Sequence, residues 1–183
     1  MGIIVAITGA TGAIYGIRLL EFLKRLNIET HLVVSQWAME TLRLETTYSF
    51  ADLQQLAAHM YNNNELDAAI ASGSFKTAGM VIAPCSMKTL AAISCGLSTN
   101  LILRAADVTI KEGRRLILVP RETPLSPIHL ENMLRISRLG VVMMPPMPAF
   151  YSKPASIDDL VSHHAGRILD RLDIEHDFIR RWQ

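Results

Sequence analysis

The sequence predicts an α/β fold in which one parallel sheet is covered by helices on both faces. Three observations carry that expectation: short continuous apolar runs recur along the chain, helical patterns lie between them, and glycine or proline stands at the switches. Strands that alternate with helices require crossover connections, which are right-handed and make the sheet parallel. Parallel strands are buried on both sides, so each reads as an unbroken hydrophobic run rather than an alternating one.

The first strand is expected over residues 2–8, followed by glycines and then by Ile14, Ile17, Leu20, Leu23 and Leu26 at helical spacing. Further strands are expected over 30–35, 80–83, 115–119 and 140–144, with Pro84 breaking the third. Ser126 reads as an N-cap with Pro127 in the first helical position, and Gly140 as a left-handed stop. Ser156 and Asp159 have capping-box spacing at the start of the last helix, with Asp in place of the usual Glu. Between these, residues 143–154 hold four prolines, which forbid a helix and favour a stiff, extended loop after the last strand.

A chain of 183 residues fits one domain, taken here as 1–183, and is long enough to bury a core without disulfides or metal. Half of its residues are hydrophobic and 19% are charged. Its mean hydropathy of +0.24 is high for a monomer, so subunit interfaces and a homo-oligomer are expected. A net charge of +1 with no basic stripe argues against nucleic acid as a partner. No apolar run approaches the roughly 20 residues that span a bilayer, and the chain enters a strand pattern at once, so a cytoplasmic protein is expected. Cys85 and Cys95 are too few and too far apart for a disulfide framework or a metal site.

Five segments carry candidate chemistry, each at or following a predicted strand end. Residues 8–16 form a glycine-rich turn that opens a helix, where backbone amides and the positive dipole end suit a phosphate. The end of the second strand, where a dinucleotide fold places an acid for the ribose, carries Ser35, which suits a phosphate or flavin monophosphate better. Residues 83–89 supply Ser86, Thr89 and Lys88 as donors at a second strand-to-helix switch, with Cys85 read as packing. After the fourth strand, Arg121 and Glu122 are adjacent in an extended segment and point opposite ways, so one can hold an anion while the other enters the cavity as an acid or base. The proline-rich loop ends in Phe150 and Tyr151, and Arg167 in the following helix offers a phosphate fork. Arg104 and Lys111 are further cations. His163 and His164 are adjacent and lack a third ligand, so no metal is expected.

These segments, with residues 104–108, 120–124 and 145–151, occur in the order and spacing of the UbiX-type flavin prenyltransferases. The chain resembles that family over essentially its full length, and especially the B subunits of bacterial phenolic-acid decarboxylase systems, down to the terminal residues 180–183. The resemblance implies a flavodoxin-like (Rossmann-type) three-layer fold, a dodecamer, and transfer of a dimethylallyl group from dimethylallyl phosphate to N5 and C6 of reduced FMN. The prenylated FMN would serve a UbiD-type decarboxylase. Carried over, Gly9, Ala10, Thr11, Ser35, Ser86, Met87, Lys88, Thr89 and Arg121 hold FMN. Lys111, Glu122, Tyr151 and Arg167 surround the dimethylallyl phosphate, and Arg104 is a further substrate-binding residue. Glu45 is a further acid, supplied across a subunit interface. Thr11 stands where many members have Ser and keeps the hydroxyl.

In that reading, cleavage of the allylic carbon–oxygen bond builds negative charge on the leaving phosphate, which clustered cations and a protonated acid, Glu122, stabilise. Two alternatives share the architecture. A flavin-dependent cysteine-type decarboxylase uses a catalytic His and a Pro-Ala-Ser-Ala-Asn-Thr type segment, from which residues 84–89 depart. A non-catalytic FMN carrier leaves the charges of Arg121, Glu122 and Arg167 without a purpose.

Overall fold

The computed structural model describes residues 1–182. Six parallel strands lie in the order β3-β2-β1-β4-β5-β6. They are β1 (Ile3–Ile7), β2 (Thr30–Val34), β3 (His59–Asn62), β4 (Gly79–Cys85), β5 (Arg115–Pro120) and β6 (Val142–Met143). The chain winds outward from β1 to β3 and then returns to place β4 on the other side of β1. The sheet therefore has a topological switch point between β1 and β4, the place where such sheets bind ligands.

The period-two geometry of a strand divides the core in two. Ile3, Val5 and Ile7 point to the face covered by α1 (Ala13–Arg25), α2 (Gln36–Glu45), α3 (Phe50–Leu56) and α7 (Ile157–Arg171). Ile4 and Ala6 point to the other, covered by α4 (Met87–Ser94), α5 (Leu101–Lys111) and α6 (Pro127–Ser137). Both faces are fully buried at β1 and β4, which is why these strands read as unbroken apolar runs.

The helix ends follow from local chemistry. Ser126 accepts from the His129 amide, and the His129 ring accepts in return from the Ser126 amide, closing a capping box with Pro127 in the first turn. Ser156 and Asp159 close the box at α7. Gly140 has φ 83, two residues beyond the C-cap Arg138 of α6.

The structure differs from the expectation in three places, the first being the last strand, expected over 140–144 and formed only by Val142–Met143. The strand does not break at Pro84: β4 runs on to Cys85, and its pairing with β5 skips from Ile82 to Cys85. A proline has no amide to donate, and this irregular stretch of the ladder is where that lack costs least. The strand β3 was not expected, because an edge strand of four half-exposed residues, His59 to Asn62, carries no apolar run.

Gly16 marks the tightest approach of helix to sheet. A Cβ there would fall inside contact distance of the Ala83 carbonyl oxygen and press on the Ile7 side chain. The Gly16→Ala variant is expected to be less stable, because overpacking against backbone costs about 1–3 kcal/mol and outweighs the gain in helix propensity of about 1 kcal/mol. A lower urea midpoint with an unchanged m-value is the expected measurement.

Candidate active site

At the carboxyl edge, a buried hydroxyl ties the two glycine- and serine-bearing turns together. The Thr8 amide and hydroxyl both donate to the Pro84 carbonyl, at 3.2 and 2.8 Å, and the Thr8 oxygen accepts from the Ser86 amide at 2.8 Å. The chain after β1 is thus fixed to the chain after β4. Three helix N-termini then converge on one cleft of about 1030 Å³. Ser35 caps α2 by accepting from the Ala38 amide, Ser86 caps α4 by accepting from the Thr89 amide, and Asn100 caps α5 by accepting from the Leu103 amide. Ser86 also donates to the Thr89 hydroxyl at 3.0 Å, which leaves the Thr89 proton for another acceptor.

Of the residues expected to hold a flavin, Gly9, Ser35, Ser86, Lys88 and Thr89 line this cleft. Trp37 and Phe50 add aromatic surface, and Gly9 is where Trp37 packs against the turn: an added Cβ would lie 2.5 Å from the Trp37 Cβ. Ala10 and Thr11 follow in the same turn, and Met87 opens α4. The far wall, unforeseen in the sequence, is Asn62, Asn63, Asn64 and Asn100. Asn63 accepts from the Ile102 amide through its side-chain oxygen, and Asn62 from Asn64 in the same way. Their side-chain NH₂ groups are donors not used in those bonds. Runs of asparagine at strand ends and helix caps were the available signal.

The N-terminus of α1, the position expected to receive a phosphate, holds a carboxylate instead. Glu45 accepts from the Gly12 amide at 2.7 Å and from the Ala13 amide at 3.3 Å. A carboxylate there answers the same free amides and dipole end as a phosphate would. The amide ends of α2 and α4 face the cleft.

A second pocket, of about 690 Å³, lies beside the proline-rich loop. It brings together Tyr151 and Arg167, whose pairing the spacing alone did not settle, with His163, His164, Arg181 and Trp182. The Tyr151 hydroxyl lies 2.9 Å from His163 Nε2, and Arg167 donates to Asp170 at 3.0 Å. Asp170 also accepts from Arg181 at 2.6 Å, so the C-terminal segment is tied to the pocket. His164 is buried, and burial first, then the neighbouring His163, lowers its pKa to about 4, partly opposed by a hydrogen bond to the Met144 backbone. It is neutral at physiological pH. The Tyr15 ring meets His164 edge-on at 5.3 Å, and its pKa is raised by burial and lowered in part by the Arg121 charge.

Arg121 and Glu122 are exposed just past β5, with the Arg121 amide donating to the Cys85 carbonyl at 3.3 Å and Glu122 accepting from the Thr123 amide at 3.0 Å. Arg104 and Lys111 lie elsewhere in this chain. Arg104 donates to the Ala71 carbonyl and to Asp107. Lys111 ends α5, paired with Glu112 at 2.6 Å. Since α5 begins at the cleft and spans about 15 Å, its last residue is at the opposite edge of the sheet. Cys85 is buried and Cys95 exposed, both free, and burial pushes the Cys85 thiol well up, which leaves it unreactive. Among the described residues no group of three His, Cys, Asp or Glu is placed to hold a metal.

A doubly wound sheet with hydroxyls and helix N-termini gathered at its switch point is the architecture of a nucleotide-binding flavoprotein, and the Flavoprotein family model matches residues 1–169. A probable UbiX-like flavin prenyltransferase of Escherichia coli O157:H7 is 56% identical over 184 aligned residues, covering 100% of this chain and 93% of the relative. A solved structure described as a dodecameric FMN-dependent UbiX-like decarboxylase from the same organism matches at a TM-score of 0.98 with 56% identity, covering 100% of both chains. AnUbiX (PadA1), solved in complex with FMN and dimethylallyl pyrophosphate, matches at a TM-score of 0.98 with 53% identity over 99% of this chain and 96% of that one. The chain belongs to the UbiX-like flavin prenyltransferase family.

Proposed function

We propose that this protein transfers a dimethylallyl group from dimethylallyl phosphate to reduced FMN and hands the prenylated FMN to a UbiD-type decarboxylase, acting in the cytoplasm as a homo-oligomer, a dodecamer as in its relative. The observation that carries the reading is the pairing of two pockets at one sheet edge. One is a hydroxyl- and amide-lined cleft, and the other holds Tyr151 with Arg167.

The cleft fits FMN. The N-termini of α2 and α4 place the Ser35 and Ser86 caps and the Thr89 hydroxyl around one point, with Lys88 adding positive charge, the donor set that a phosphate monoester requires. The turn at Gly9 carries no side chain, so the backbone comes close to Trp37 and to the ligand. Ala10, Thr11, Met87 and Arg121 complete the proposed flavin contacts. Reduced FMN supplies the nucleophilic N5 and C6.

The protein's own task is to bind, orient and balance charge. Arg167 and Tyr151 hold the phosphate of the donor, Arg167 with its guanidinium aimed by Asp170. As the allylic carbon–oxygen bond breaks, its electron pair stays on the phosphate oxygen, and Arg167 and Lys111 oppose the growing charge. Glu122 gives that oxygen a proton, and the released phosphate can take part in deprotonating the prenylated ring. Lys111 and Arg104 reach the site from neighbouring protomers, since within their own chain they are engaged elsewhere, whereas Glu45 of the same chain stands at the glycine turn on the Gly12 amide.

Anaerobic incubation of the protein with reduced FMN and dimethylallyl phosphate, without added metal, tests this reading by mass spectrometry of the extracted flavin. A gain of one prenyl group is the expected result. Unmodified FMN from a flavin-loaded sample, beside a working control enzyme, would make the protein a carrier or a different flavin enzyme.

A further inference from the structure

Tyr151 sits in the short 3-10 turn Phe150–Ser152 that ends the proline-rich loop, and its hydroxyl meets His163 of α7 at 2.9 Å. The two rings stand edge to face at 5.5 Å, and Trp182 packs edge-on with Tyr151 at 5.3 Å. His163 is 8% exposed, and four residues along α7 brings Arg167 onto the same face and into the same pocket. The sequence left His163 without a role.

A phenol has one proton to give. If His163 Nε2 is bare, Tyr151 donates to it and turns only lone pairs toward a phosphate. If Nε2 carries hydrogen, the imidazole donates to the Tyr151 oxygen and the phenol proton is free for the ligand. The state of His163 therefore decides whether Tyr151 attracts or repels a phosphate oxygen. The groups facing His163 are Tyr151 from the loop, His164, Arg167 and Asp170 on α7, and Arg181 with Trp182 from the C-terminal segment. Burial first, then the Arg167 cation, lowers its pKa, and Asp170 partly opposes this, so the imidazole works in its neutral form.

We propose that His163 is a positioning residue for the prenyl transfer: its Nε2–H donates to the Tyr151 oxygen and so aims the Tyr151 proton at the leaving phosphate. This rests on the reading of Tyr151 as a phosphate ligand. Tyr151 donates a hydrogen bond throughout and keeps its proton, while the electron pair of the broken carbon–oxygen bond remains on the phosphate.

A double-mutant cycle on the FMN-loaded protein tests it. His163→Phe keeps the ring but removes the donor, and kcat/KM for dimethylallyl phosphate is expected to fall about ten- to a hundredfold, the value of a hydrogen bond to a charged group, with FMN affinity unchanged. His163→Gln, whose amide can donate to the same oxygen, is expected to recover most of that loss. In the Tyr151→Phe background, His163→Phe is expected to have no further effect. His163→Met provides the same comparison if the Phe ring disturbs the fold. A full additional loss in the Tyr151→Phe background, or a Phe variant as active as the Gln variant, would overturn the proposal. Calorimetric binding of inorganic phosphate to the same proteins separates this proposal from the function it rests on. Non-additive loss of phosphate affinity in a protein that never prenylates FMN sinks the transferase and keeps the role of His163. Additive loss in a protein that does prenylate sinks the role alone.

Discussion

Replacing Glu122 by Gln is expected to slow prenylation by about 10²–10⁴-fold, the range for removing a positioned general acid, while FMN still binds. The substitution is nearly isosteric. The Gln side-chain oxygen can still accept from the Thr123 amide, as Glu122 does at 3.0 Å, so the turn after β5 keeps its shape. What disappears is the proton for the departing phosphate. Among the described residues the Glu122 carboxylate hydrogen-bonds the Thr123 amide and none of Thr8, Ser35 or Ser86, and it is exposed beside Arg121, so its replacement should leave the cleft of those three residues intact. Single-turnover mixing of reduced FMN-loaded protein with dimethylallyl phosphate, followed by flavin absorbance, measures the rate directly. A rate equal to that of the unaltered protein would remove Glu122 from the chemistry and leave electrostatic stabilisation by cations as the remaining source of acceleration.

How far the sequence revealed this arrangement depended on how local the physics is. The strands at β1, β2, β4 and β5 were legible because burial on both faces demands a continuous apolar run, and that demand is written residue by residue. The caps at Ser126 and Ser156 were legible for the same reason, since a cap is settled within four residues. β3 was not, because an edge strand is held by pairing with β2 over His31 to Val34 and owes little to its own composition. In the site, the hydroxyls at Ser35, Ser86 and Thr89 stood at predicted strand-to-helix switches, so their convergence followed from the topology. The clamp from Thr8 to Pro84 and Ser86 joins positions 76 and 78 residues apart and has no local signature. The same holds for Glu45 on the Gly12 amide, 33 residues away, where the sequence offered a free helix end and the fold supplied a carboxylate. The contact of Tyr151 with His163 spans only 12 residues, but it depends on the path of a proline-rich loop that no periodicity describes.

Lys111 is expected to work in trans, and mixed assemblies should show it. Lys111 closes α5, and β5 begins a few residues later with Arg115 paired to Gly79 at the amino end of β4. The neighbouring Arg114 donates to the Gly73 and Phe75 carbonyls, which precede β4, and this confirms that the C-terminal end of α5 lies at the amino edge of the sheet. A side chain on that edge cannot fold back across the sheet to a ligand at the carboxyl edge. If Lys111 stabilises the leaving phosphate, it must do so in a neighbour's pocket. Lys111→Met alone should then cost about 10²-fold in rate, the scale for one lost charge-stabilising donor, and Glu122→Gln should cost at least as much. Co-assembled in equal amounts, the two variants should regain activity at about a quarter of their sites, because random mixing in a symmetric oligomer brings an intact Lys111 to an intact Glu122 in that share. If both residues acted within one chain, every chain in the mixture would carry one defect and no site would recover. Recovery on mixing, with co-assembly verified by two affinity tags, therefore separates a site shared between protomers from one built by a single chain, and it does so without knowing which protomers touch.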